Sequence, residues 1–361
     1  NKNIIVSVTN DITHDQRVAK VCNTLYSQGW DIYLIGRYLT SSAPLKREYK
    51  THRFRLLFNK GFLFYAEFNI RLFFFLLYKK SAIYHANDLD TLFPMWLMSI
   101  IKKKPIVYDS HEYFTGVPEI QNRKFVKWVW KSVEKIIFPR LQYVFTVNKS
   151  ISDIYYKEYG VRSEVIRNVS NKEIIEKSIN RDELGLPLDC KVIILQGAGI
   201  NIHRGSEELL EAISISDNLF LCIVGTGDVI GKLKERSKKH DLVNKVKFTG
   251  KVSYDQMMQY TLNADVGVSL DKPNNLNYKY SLPNKVFDYF KAGIPVVCSN
   301  LVELSNLVTK YNSGVVVRGH NPKEILNGIN EVLDNEMYTI YKTGALSVID
   351  DLNWEKESEK L

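Results

Sequence analysis

At 361 residues the chain is too long for one core and reads as two domains, since single hydrophobic cores seldom grow past about 250 to 300 residues. Hydrophobic residues make up 45% and charged residues 25%, ordinary for a soluble globular protein, and the four scattered cysteines (Cys22, Cys190, Cys222, Cys298) form no Cys-x-x-Cys pair, which speaks against disulfides or a zinc site and for a reduced, cytosolic setting. The net charge of +9 belongs to the first half: residues 1–170 hold 26 basic against 14 acidic side chains, and residues 171–361 hold 23 against 26.

Asn3 to Val8 reads as a buried strand, too short and too soon followed by polar residues to be a signal peptide. Thr13 with Gln16 makes a capping box for a helix carrying Val18, Val21, Cys22 and Leu25 on one side. Gly29 ends it and Asp31 to Gly36 is the next strand, a βαβ unit that implies parallel pairing and a right-handed crossover. The apolar segment from Gly61 to Tyr78 is broken by Glu67, Asn69 and Arg71 and falls short of a transmembrane helix. The alternation continues through strands at Ser81 to His85, Pro105 to Asp109 and Gln142 to Val147, with helices after Asp90 and from about Arg123. It predicts a doubly wound sheet, whose ligands sit at the carboxyl ends of strands. The stretches there are Asn10 to Arg17, His85 to Asp90 and Asp109 to Glu112, with Asn10, His14, Arg17, His85, Asp88, His111 and Glu112 as the acceptor or cleft candidates.

Around Val165 to Ser170 the pattern changes, and a polar stretch runs to Asp189, so the junction is expected near residue 175. Lys191 to Leu195 opens a second βαβ series, continued by Leu219 to Val224, Lys245 to Phe248, Ala264 to Leu270, Pro295 to Cys298 and Gly314 to Val317. The expected architecture is α/β: a Rossmann-like domain over residues 1–175, another over 176–351, and a cleft between them.

The first strand of the second series runs into Gln196-Gly-Ala-Gly-Ile-Asn-Ile-His-Arg-Gly205 and a helix. Gly197 and Gly199 let backbone approach a pyrophosphate, the helix start offers N–H donors, and Arg204 can grip phosphate oxygens. Gly225 follows another strand and can border the same cleft or be an isolated tight turn, and the turn holding Lys251 can lie against a base or be a plain turn. Tyr280 to Cys298 then reads as loop, helix and buried strand, with Pro283 in the first helical turn and Gly293 at the end. Ser281, Asn284 and Lys285 thereby fall at a helix N-terminus that favours an anion, and Asp288, one turn on, suits a ribose diol. A cation for phosphate and a carboxylate for ribose is what a nucleotide-diphosphate site needs; the alternative is a surface helix with a capping Asn284 and a solvated Lys285.

His111, just past a strand, can donate to a sugar hydroxyl or a phosphate oxygen; the alternative is a structural histidine. Asp88-Leu-Asp90 has the look of a metal-holding Asp-x-Asp, but with Arg204 and Lys285 available it is read as helix capping and acceptor or structural contacts, with no metal. Lys102 to Lys104, and Lys124, Lys127, Lys131 and Lys135 at helical spacing beside Trp128 and Trp130, suit an anionic membrane surface or a solvated face of a core helix. No recognised nucleic-acid module is present, so nucleic acid is not an expected partner.

Taken together these residues resemble the bacterial group 1 glycosyltransferases, retaining enzymes of the GT-B fold, especially the branch with a Thr-His-Asp-Gln-Arg-Val start. The resemblance runs through Thr13 to Val18, His85 to Leu92, Tyr108 to Phe114, Arg204-Gly205, Leu282 to Tyr289 and Ala292 to Pro295. It implies two Rossmann-like domains facing across a cleft, with residues 352–361 packing back onto the first. The implied activity is transfer of a sugar, with retention, from a nucleotide-diphosphate donor to a saccharide or lipid-linked acceptor in cell-surface polysaccharide or glycoconjugate synthesis. The resemblance implies no cofactor, and a place in the cytoplasm or peripheral at the inner face of the plasma membrane. Arg204 and Lys285 would hold the donor pyrophosphate and His111 would be the cleft histidine. Where relatives carry two glutamates eight residues apart, this chain has Tyr280 and Asp288: Asp288 can accept from ribose hydroxyls with shorter reach, but Tyr280 cannot replace the carboxylate that contacts the donor sugar. Two other readings remain, a nucleotide-sugar epimerase on the same fold and a non-catalytic nucleotide-sugar-binding subunit.

Overall fold

The computed structural model describes residues 2–13, 15–173, 175–239 and 242–361, with the backbone alone at Glu119. The chain divides into two compact units, Asn1–Asn168 with Glu357–Leu361, and Val169–Lys356. The division falls ahead of residue 175 because Ser170 is already held by the second unit: its hydroxyl donates to Asp288 and its carbonyl accepts from Trp354 N. Glu357 belongs to the first unit, where its carboxylate accepts from the Arg167 backbone N–H and guanidinium.

The first unit runs β1 (Asn3–Asp11), α1 (Gln16–Ser27), β2 (Asp31–Tyr38), β3 (Lys50–Arg55), α2 (Gly61–Tyr78), β4 (Ile83–Asn87), α3 (Leu89–Lys102), β5 (Ile106–Ser110), α4 (Pro118–Gln121), α5 (Lys124–Ile137), β6 (Tyr143–Thr146), α6 (Lys149–Tyr159) and β7 (Glu164–Val165). Its seven strands are parallel, in the order β3-β2-β1-β4-β5-β6-β7. The order reverses between β1 and β4, which opens a crevice at their carboxyl ends. Right-handed crossovers put α1 on one face and α2, α3 and α5 on the other, where residues of all three join one apolar core.

Three local expectations are corrected. Helix α1 is capped by Asp15, whose carboxylate accepts from Val18 N, so the Thr13 capping box does not form. Strand β3 escaped sequence reading because this edge strand buries only Phe54. Helix α2 is unbroken over 18 residues and is by length and composition alone apolar enough to cross a membrane. Its polar residues do not interrupt it because each finds a partner: Glu67 accepts from the Leu57 and Phe58 amides and pairs with Arg71 at 2.7 Å, and Asn69 donates to the Tyr65 and Asp90 carbonyls.

The second unit holds β8 (Lys191–Gly197), α7 (Ser206–Ser214), β9 (Leu219–Gly225), α8 (Ile230–Lys239), β10 (Val246–Gly250), α9 (Tyr254–Leu262), β11 (Val266–Ser269), α10 (Leu276–Lys279), α11 (Asn284–Lys291), β12 (Val296–Ser299), α12 (Val302–Tyr311), β13 (Gly314–Val317), α13 (Pro322–Leu333) and α14 (Asn335–Asp351), with α15 (Trp354–Ser358) after it. The six parallel strands lie in the order β10-β9-β8-β11-β12-β13, reversing between β8 and β11. Tyr289 seats α11 over that reversal. Its ring fills the space a Cβ on Gly267 would occupy, and its hydroxyl lies among Gln196 N and the Ile194 and Val268 carbonyls.

Candidate functional site

In the first unit the carboxyl ends of β4 and β5 gather a buried charged cluster. Asp88 follows β4 with φ 57° and ψ 167°, a conformation that costs a non-glycine residue about 1 to 3 kcal/mol. It stands at the N-cap position of α3, yet its carboxylate makes no cap bond, contrary to the expected capping role. It accepts instead from His111 N at 2.9 Å and lies 3.4 Å from His111 Nδ1. The other ring nitrogen, Nε2, is 3.1 Å from Asn87 Oδ1 and 3.6 Å from Asp109 Oδ2. Oxygens thus face both nitrogens. Burial disfavours the charged ring, but Asp88 and then Asp109 outweigh it and push His111 up to about 9. His111 is therefore an imidazolium at neutral pH, a donor at both nitrogens.

Its neighbours are set by the same charges. Arg17, expected to meet acceptor, is buried and structural: Nη2 and Nε grip Asp109 at 2.6 and 3.1 Å, and Nη1 donates to the Ile166 carbonyl. Burial works against the Asp109 carboxylate, yet Arg17 and the adjacent histidine hold it well below its usual range. His85 is likewise buried, 3.9 Å from Asp109. Burial, then Asp88, pushes the Asp90 carboxyl up to about 7, while Thr9 donates to it. Asn10 is exposed and donates to Asp15, Glu112 is half-buried with its carbonyl accepting from Ser110, and His14 lies outside the described residues.

In the second unit two cations converge on one carboxylate. Asp271, just past β11 and 1% exposed, lies 3.3 Å from Arg204 Nη1 and 3.9 Å from Lys285 Nζ. Gly205 makes this approach possible. It caps α7 at φ 71°, and a Cβ there would stand 2.4 Å from the Leu270 carbonyl oxygen, so only glycine lets the Arg204 loop lie against the Asp271 loop. The guanidinium covers the Tyr278 ring at 4.8 Å, and its Nε is buried with no acceptor among the described residues. Burial pushes the Lys285 amine below its usual value, Asp271 opposing and Arg204 adding to the shift. Two cations against one carboxylate leave an excess of positive charge in a place that disfavours it, which is the electrostatic condition for taking up an anion.

The remaining expected donor residues divide. Pro283 occupies the N-cap of α11 rather than its first turn, and Asn284 is the first helical residue, so no side chain caps that end. Ser281 donates back to the Tyr278 carbonyl. Asp288 is engaged from within the protein, by the Ser170 and Tyr254 hydroxyls at 2.9 Å and Gln196 Nε2 at 3.3 Å, so a ribose would share it. Gly225 serves packing: a Cβ there would meet the Gly197 carbonyl oxygen, so the ends of β8 and β9 close on one another. A Cβ on Gly199 would meet nothing nearer than 3.6 Å, so that position is open, and Lys251 is exposed after β10. Sequence reading omitted Asp271 from the site, and held Asn87 only within the strand-end stretch His85 to Asp90; the only signal for either was its place just after a strand or at its end. Among the described residues no three His, Cys, Asp or Glu side chains are grouped so as to hold a metal ion.

Residues 157–345 match the family model described as glycosyl transferases group 1, and residues 16–171 match glycosyltransferase family 4. The chitobiosyldiphosphodolichol beta-mannosyltransferase of Candida albicans is 26% identical over 259 residues, 64% of this chain and 55% of that protein. The chain spans about half to two thirds of the length of the curated relatives it matches. Sucrose-phosphate synthase from Thermosynechococcus elongatus superposes with a TM-score of 0.82 at 17% identity, over 100% of this chain and 97% of that one. HepE of Anabaena in complex with UDP and glucose gives 0.76 at 15% identity, over 100% and 98%. At these identities the likeness is one of fold, and that fold is GT-B.

Proposed function

The chain belongs to the group 1 glycosyltransferases, whose family model spans more than half of it, and from that premise we propose that it transfers a sugar from a nucleoside-diphosphate donor to an acceptor hydroxyl. One observation carries this reading: Arg204, from the loop before α7, and Lys285, from the first turn of α11, meet at the same buried carboxylate. As the glycosidic bond breaks, negative charge grows on the departing diphosphate, and cations fixed in advance stabilise that state more than the ground state. Arg204 offers a planar fork whose Nε lacks an acceptor, Lys285 a compact charge, and Asp271 keeps both in register. HepE was solved with UDP and glucose, which supports a uridine nucleotide and a hexose as first candidates.

Retention at the anomeric carbon and a metal-free mechanism complete the proposal. Asp88 is engaged by His111 and Asp90 by Thr9, which supports cations of the protein rather than a divalent ion as the charge carriers. His111 is read as a donor to a substrate oxygen. The acceptor is read as a lipid-linked saccharide, as the name of the Candida albicans relative suggests by analogy.

Arg204→Ala and Lys285→Ala should each lower kcat about a hundredfold, roughly 3 kcal/mol, and damage turnover more than folding. The same assay should be indifferent to a chelator, and proton spectroscopy of the product should show the donor's anomeric configuration. Normal turnover in both variants would remove the clamp; activity lost to EDTA and restored by Mg²⁺ or Mn²⁺ would return Asp88 and Asp90 to a metal role.

A further inference from the structure

The helices α2, α3 and α5 each turn one face into the core of the first unit and leave the other uncovered. On α2 the inward row is Phe64, Phe68, Leu72 and Leu76, all buried, and the outward row includes Phe62, Ile70 and Phe74, all exposed. On α3, Phe93, Ile100 and Ile101 point out. On α5, Phe125 and Trp128 stack with ring centroids 6.0 Å apart and are 70% and 64% exposed. Helix α3 packs between the other two, so the outward rows lie side by side. Soluble monomers rarely expose an apolar surface three helices wide.

The charges around this face decide what covers it. Several lysines are tied inward: Lys102 donates to the last carbonyls of α2, Lys127 to Gln121, and Lys131 to Glu134 and Glu158. Lys103, Lys104, Lys124 and Lys135 stay exposed. Among the described residues the three helices present no exposed carboxylate, since Asp90 and Glu134 are buried and Glu67 is turned to Arg71 and two backbone amides. A second copy of the chain would bring like charges together on this face. An anionic lipid surface complements both its apolar rows and its lysines.

We propose that the α2–α3–α5 face docks on an anionic bilayer, with the aromatic side chains at the acyl boundary and the exposed lysines among the headgroups. Helix α2 lies on the membrane rather than across it, because its inward row is part of the core. This goes beyond the transfer reaction and is read without donor or acceptor, so either claim can fail while the other stands.

Sedimentation of the full chain with phosphatidylcholine vesicles, with and without phosphatidylglycerol, tests it. Binding should require phosphatidylglycerol, weaken as salt rises, and fall about tenfold or more in Phe125→Ser/Trp128→Ser and in Lys103→Glu/Lys104→Glu. These side chains are exposed, so circular dichroism should be unchanged in both variants. The proposal is overturned if the parent chain fails to sediment at low salt, or if the aromatic pair binds vesicles as well as the parent. A parent dimer that the aromatic pair splits without altering vesicle binding would also overturn it, and assign the face to self-association.

Discussion

Both units place their charged clusters at the carboxyl ends of strands beside the point where strand order reverses, yet the two clusters hold opposite balances. In the first, the carboxyls of Asp88, Asp90 and Asp109 surround Arg17 and His111, and the surplus is met by protons: Asp90 is pushed up to about 7 and His111 up to about 9. In the second, Arg204 and Lys285 share one carboxylate, Asp271, and burial pushes the Lys285 amine down. One cluster stores protons and the other stores uncompensated positive charge. The totals run the other way, with the basic excess in residues 1–170, so the sign of a site is set by which side chains the strand ends bring together.

The strongest way to break this contrast is at Arg17. Its removal would leave Asp109 buried without its fork, and losing one member of a buried pair costs about 3 to 5 kcal/mol. Arg17→Ala should therefore lower the urea midpoint sharply. A variant of normal stability with a defect confined to acceptor use would show that Arg17 contacts substrate after all.

A smaller effect sharpens the proton-storing half. Both groups have folded values above their usual ones of 3.8 and 6.5, so folding favours their protonated forms. The contribution of Asp90 is complete below about 4 and is lost as pH rises through about 7; that of His111 is complete below about 6.5 and is lost through about 9. Asp90→Asn should raise the Tm at pH 8 by a few degrees and leave it unchanged at pH 4. Turnover should hold until about pH 9 and then fall, a limb that His111→Gln should flatten. An Asp90→Asn variant whose Tm tracks the parent at every pH would mean that the carboxyl is not held protonated.

The βαβ alternation was legible because buried parallel strands are near-continuous apolar runs, as in Val192 to Leu195 and Val296 to Cys298, whereas Lys50 to Arg55 at the sheet edge has no such run. Arg204 and Lys285 were legible because glycine, proline and strand boundaries mark where helices begin. Asp271 was not: its role depends on the Gly205 loop reaching Leu270, a contact with no local signal. Arg17 and His85 were read as acceptor or cleft candidates from their position after or within strand-end motifs, and only packing shows that both lie against Asp109. The basic stripe of α5 likewise mixes lysines that brace the fold with lysines that face out, which helical spacing alone does not separate.

A double-mutant cycle on nucleoside-diphosphate binding, read by calorimetry with UDP on the parent chain, Arg204→Ala, Lys285→Ala and the pair, bears most directly on the central claim. If both cations grip one diphosphate, each single change weakens binding and the double change costs less than their sum, a coupling of about 0.5 to 3 kcal/mol. Additive losses, or a single variant that binds UDP as tightly as the parent, would mean that Arg204 and Lys285 do not serve the same ligand.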